Sequence, residues 1–145
     1  MLNTAFSAAL PADVQRAVAS ARASGMEQLT AHSRYQILEQ VSRQIGRRRD
    51  KLTSLLVREA GKPYRYAAGE VERAQQTFSF AAAEARRISG RTMELDAHPN
   101  GNGHFAFYHR FPLGVIGAIS PFNFPLNLVA HKVAPALAAG NSVIL

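Results

Sequence analysis

Between residues 119 and 126 the sequence reads Ile-Ser-Pro-Phe-Asn-Phe-Pro-Leu. Asn123 stands at its centre with an uncharged amide that carries two N–H donors. Such a donor stabilises a developing oxyanion without forming an ion pair in the ground state. Pro121 and Pro125 flank it and stiffen the backbone, which suits a group that must be positioned. The segment follows an apolar run, Val115-Ile116-Gly117-Ala118-Ile119, and precedes a helical pattern. In open α/β sheets, ligands bind at the carboxyl ends of strands, where this loop falls. A second reading is equally local: an asparagine ahead of a helix often caps it. The residues by themselves leave both open.

Other motifs fail on inspection. Gly61-Lys62 is not a phosphate loop, because Leu56 and Pro63 stand where that loop needs Gly and Ser or Thr. Gly114 and Gly117 flank the start of the apolar run instead of following its end, so the dinucleotide fingerprint is missing. Histidines 32, 98, 104, 109 and 131 lack metal-ligand spacing on one helix face, and no metal site is expected. Cysteine is absent, which removes disulfides, Cys-ligated metals and any thiol nucleophile supplied by this chain.

The chain has 145 residues, the length of one ordinary domain, and 47% apolar residues, enough for a packed core. Residues 1–96 hold 15 of the 17 basic side chains and all 10 acidic ones; Arg110 and Lys132 are the remaining cations. The first part therefore reads as solvated helices and the second as a segment covered by protein. The net charge is +7, yet Arg47-Arg48-Arg49 is short and has no interleaved aromatic platform. A helix end is the expected role, and no nucleic-acid partner is expected. Residues 1–10 lack a basic start, and residues 111–130, although uncharged, are broken by three prolines. Neither a secretory signal nor a membrane span is expected, and the location expected is cytoplasmic.

Four helices should carry the first part. Val14, Ala17, Val18 and Ala21 share a face after Pro11. Ile37, Leu38, Val41 and Ile45 lie in a helix from about His32 to Gln44. Leu52, Leu55, Leu56 and Ala60 face inward on a third that stops at Gly61-Lys62-Pro63. Ala67, Val71, Ala74, Phe78, Ala81, Ala85 and Ile88 form one stripe of a fourth, from about Tyr64 to Ser89. Residues 92–111 read as a hairpin, with His98-Pro99-Asn100-Gly101-Asn102-Gly103 as tight-turn chemistry. Val115–Ile119, a helix over Leu126–Ala139, and Ser142–Leu145 form a strand–helix–strand crossover with strands buried on both faces. The last residues lie inside an apolar strand, and the expectation is the first portion of something longer.

From Arg110 to Leu145 the chain resembles the NAD(P)-dependent aldehyde dehydrogenase superfamily. The similar motifs are Pro112-Leu113-Gly114-Val115, Pro121-Phe122-Asn123-Phe124-Pro125 and Ala134-Pro135-Ala136-Leu137-Ala138-Ala139-Gly140-Asn141. Glu59-Ala60-Gly61-Lys62-Pro63, and Glu70-Val71 with Arg73-Ala74, match upstream motifs of the same family. The resemblance covers nearly the whole chain but only the N-terminal portion of a family subunit. It implies an α/β fold: N-terminal helices plus the first strand–helix–strand unit of a doubly wound, Rossmann-like cofactor domain, with a β-hairpin oligomerisation extension. Residues 1–145 would be a partial cofactor-binding domain.

The resemblance also implies a reaction. In the family a cysteine thiolate attacks an aldehyde, hydride passes to NAD or NADP, and a glutamate-activated water releases the carboxylate. Asn123 would donate its amide to the oxyanion, and Ile119, Ser120, Pro121 and Phe122 would lie along the cofactor. Glu59 and Glu70 match helix motifs and not the deacylating acid. The Phe122 form of the motif and the stretch 127–132 are closer to branches that act on small polar aldehydes. With no cysteine, the chain is expected to lack turnover by itself. The full-length form is expected to be a homo-oligomer. The alternative is a non-catalytic interaction module whose hairpin pairs with full-length subunits.

Overall fold

The computed structural model describes residues 8–145. The part of the signal-peptide reading that concerns residues 1–7 lies outside them. Helix α1 spans Pro11–Arg22, α2 Ala31–Arg47, α3 Arg49–Ala60 and α4 Tyr64–Ala85. Strands β1 (Arg91–Glu94) and β2 (Phe105–Tyr108) follow, then β3 (Val115–Gly117), α5 (Asn127–Ala138) and β4 (Ser142–Ile144).

Helix α4 is the centre of the molecule and packs against α2, α3 and α5. The sequence stripe explains this. Ala67, Val71, Ala74, Phe78, Ala81 and Ala85 are all buried. Their small side chains admit two neighbours closely, and Ser42 on α2 donates to the Gln75 carbonyl of α4 at 3.0 Å. Leu38 of α2 and Ala130, Ala134 and Ala138 of α5 complete the core. Burying a side chain such as Leu38 contributes about 1.5–3 kcal/mol. The helix ends one turn earlier than the stripe, because the chain must turn at Arg86 to enter β1.

Strands β3 and β4 are parallel and joined through α5, with Val115 opposite Ser142 and Gly117 opposite Ile144. This is the expected crossover, although Val115, Ile116 and Val143 are only half-buried. Among the described residues this sheet has two strands, and no further strand covers its edges. Asn141, itself buried, locks the unit. Its Oδ1 accepts from Leu113 N at 2.6 Å and Gly114 N at 2.9 Å, and its Nδ2 donates to Ala136 O. One side chain thus ties the entrance of β3 to the end of α5.

Strands β1 and β2 pair antiparallel, with Arg91 opposite Tyr108 and Glu94 opposite Phe105. Their connection is longer than the tight Asn-Gly turn the sequence favoured. Pro99–Gly101 forms a 3₁₀ turn, and the His98 Nδ1 accepts from Asn100 N at 3.2 Å. Pro99 fixes φ and lacks an N–H, which favours this turn over a two-residue hairpin. The Arg47–Arg49 run is also placed differently in detail. Arg47 ends α2, but Arg49 opens α3 beside Asp50, so the run spans a junction between helices.

Candidate functional site

Residues 118–126 leave the carboxyl end of β3 and lead into α5. Ala118 N donates to Ile144 O at 2.8 Å, which holds the loop's first residue on the sheet. Beyond it the chain moves outward. Ile119 is 91% exposed and Phe122 93% exposed. Pro121 and Asn123 are exposed as well, and Ser120 is half-buried. The loop therefore brings Ile119, Ser120, Pro121, Phe122 and Asn123 together as one continuous surface at a strand end.

Two roles stood open for Asn123, and the geometry bears on the capping one. Helix α5 begins at Asn127, its cap residue is Leu126, and no side chain of the cap serves it. Asn123 lies too far upstream to cap this helix. Asn123 is exposed, and its side chain makes no hydrogen bond among the described residues.

The helix start is held by Glu70 instead. Its carboxylate is fully buried, and Oε1 accepts from Leu126 N at 2.8 Å and Asn127 N at 3.1 Å. A carboxylate here complements the positive end of the helix and satisfies two otherwise orphaned donors. Its second oxygen pairs with the Lys62 ammonium, whose side chain is 15% exposed. The same Lys62 Nζ stands 3.9 Å from the centre of the Phe124 ring, with the Arg73 guanidinium 5.1 Å from that centre. Phe124 thus has two cations over its ring, an attractive arrangement for an aromatic face. Sequence reasoning gave Glu70 a helix motif and nothing more. The signal was present: position 70 lies three residues from Ala67 and four from Ala74, on the apolar face, where an acid needs a partner.

Among the described residues, no group of three or more His, Asp or Glu is placed to hold a metal ion. No helix among them is long and apolar enough to cross a membrane.

Comparison with known proteins accounts for this arrangement. Residues 3–145 match the aldehyde dehydrogenase family. The chain is 42% identical over 140 residues to the 3-sulfolactaldehyde dehydrogenase of Priestia aryabhattai, covering 97% of this chain and 29% of that one. It is 38% identical over 127 residues to the lactaldehyde dehydrogenase of Methanococcus aeolicus, covering 88% of this chain and 26% of that one. It also superposes on the glyceraldehyde-3-phosphate dehydrogenase of Methanocaldococcus jannaschii, solved with NADP, with a TM-score of 0.87. There the identity is 34%, and the match covers 99% of this chain and 30% of that one. Another structural neighbour, PnpE, was solved in complex with nicotinamide adenine dinucleotide, with a TM-score of 0.87 and 33% identity. The chain thus spans less than a third of the length of these relatives, and it belongs to the aldehyde dehydrogenase family.

Proposed function

We propose that residues 1–145 supply the oxyanion-binding loop and part of the cofactor platform for NAD(P)-dependent oxidation of a small polar aldehyde. The exposed amide of Asn123, on a loop fixed at both ends, carries this reading. When an aldehyde is attacked by a nucleophile, its oxygen gains negative charge. A preoriented neutral amide stabilises that charge most where it develops, which lowers the barrier more than it tightens substrate binding. The nicotinamide cofactor, when bound, accepts the hydride. Ile119, Ser120, Pro121 and Phe122 fit its path: they follow the carboxyl end of a parallel strand, and two of them present exposed apolar surface. The relatives' sulfolactaldehyde and lactaldehyde substrates favour a small aldehyde carrying polar substituents.

The thiolate must come from elsewhere, because this chain has no cysteine. The chain alone is therefore expected to form no reduced cofactor from aldehyde and NAD(P), and cysteine-independent turnover above background would contradict the proposal. The direct test is a chimera in which residues 1–145 replace the matching segment of the Priestia enzyme. It should oxidise its aldehyde, and Asn123→Ala should lower kcat on the order of 10²–10³-fold with a smaller change in KM. An unchanged kcat would remove the role of Asn123.

A second reading rests on the hairpin. Phe105 is 67% exposed and Phe107 73% exposed on one face of β2. That surface fits subunit pairing, whether within a homo-oligomer or with full-length subunits as a non-catalytic module. Size-exclusion mixing with a full-length homologue tests it, and co-elution that survives Phe107→Lys would count against the hairpin.

A further inference from the structure

We propose that Glu70 is the positioning residue of the 118–126 loop: its buried carboxylate, neutralised by Lys62, sets the first turn of α5 and thereby the direction of the Asn123 amide. The inference builds on the role proposed for Asn123, but it concerns how the loop is held and is tested separately.

Three observations carry it. Glu70 is completely buried in the second turn of α4, yet both carboxylate oxygens are satisfied. One serves the backbone of Leu126 and Asn127, and the other the Lys62 ammonium. Secondly, α5 has no capping side chain of its own. Its start is thus defined by a residue 56 positions earlier, and Leu126 is only three residues from Asn123. Thirdly, Lys62 does two things with one charge. It neutralises Glu70 and lies on the face of Phe124, the residue next to Asn123. Loop and helix start are therefore fastened to α4 and to the α3–α4 turn through a single ion pair. Glu70 touches neither the amide of Asn123 nor any position proposed for substrate. It acts on the direction of that amide and not on its chemistry.

Residues elsewhere in α4 that are merely structural would loosen the core when changed. Glu70 should loosen the loop first. The test uses the 145-residue chain and needs no activity. In Glu70→Gln, amide hydrogen exchange at Leu126 and Asn127 should accelerate at least tenfold. The Asn123 backbone and side-chain amides should become more mobile by ¹⁵N relaxation, while Leu38 and Ala82 keep their protection. Lys62→Met should reproduce the loop mobility and Lys62→Arg should restore order, because only the latter keeps the cation. The inference fails if the folded Glu70→Gln chain leaves Asn123 as ordered as before, or if Lys62→Arg is no better than Lys62→Met. Should Glu70→Gln not fold, Glu70→Asp decides. It keeps the charge but draws the carboxylate back by one methylene from Leu126 N and Asn127 N, so unchanged Asn123 dynamics in the folded variant would overturn the inference. A loop loosened in Glu70→Gln combined with an unaffected Asn123→Ala chimera would instead leave this inference standing and remove the catalytic role.

Discussion

The hydroxyl of Thr53 is fully buried and has no hydrogen-bond partner among the described residues. A buried donor left unsatisfied costs about 1–3 kcal/mol. Thr53→Val keeps the shape and the β-branching while removing that cost, so it should raise stability by about 1 kcal/mol. Asn141 is the opposite case. Its Oδ1 is the acceptor for two backbone N–H groups, at Leu113 and Gly114. Asn141→Ala should destabilise by about 2 kcal/mol or more, read as a lower urea midpoint at constant slope. The two substitutions have opposite signs although both remove a buried polar group. What separates them is whether partners are left behind. Neither sign was legible in the sequence. Asn141 was visible as part of a family motif, but its partners lie 27 and 28 residues away.

Helix ends behave according to what surrounds them. Gly61 closes α3 at φ 63° with nothing close to a prospective Cβ. Gly140 follows α5 at φ 85°, and a Cβ there would stand 2.9 Å from Cγ of Pro112. Gly61→Ala should cost about 1 kcal/mol, the penalty of the left-handed conformation alone. Gly140→Ala should cost more, because Pro112 must also move, and thermal denaturation of the two variants side by side checks that order. Both glycines were readable as helix stops. Only the packing of Pro112 makes one stop more demanding than the other. In the third helix Leu56 is buried and Leu52 packs against the core, while Ala60 lies exposed and Thr53 takes an inward place.

At the scale of the whole molecule, burial is unevenly shared. Thirteen buried apolar residues of α2, α3, α4 and α5 form one cluster. Every residue of β1 is exposed, and no residue of β3 or β4 is fully buried. Local opening costs least where few apolar contacts are broken. Hydrogen exchange should therefore rank Thr92 and Phe107 of the hairpin among the fastest strand amides and Leu38 and Val71 among the slowest. Equal protection of hairpin and helical core would contradict this division. The functional loop lies between these regimes: it rises from a thin sheet, but its far end is tied to the core through Glu70.

The sequence by itself determined the helical stripes, the crossover unit and the family, and it offered Asn123 as a candidate donor or helix cap. Each of these rests on short-range periodicity or on a contiguous motif, which the chain carries in its own order. The tertiary structure decided what holds that amide in place. Glu70, Lys62 and Phe124 are separated by up to 62 positions, and only the packing of α4 against α5 makes one carboxylate serve as helix cap, ion pair and loop anchor. The physical reason is that a buried charge has meaning only through its partners, and partners are a property of the fold.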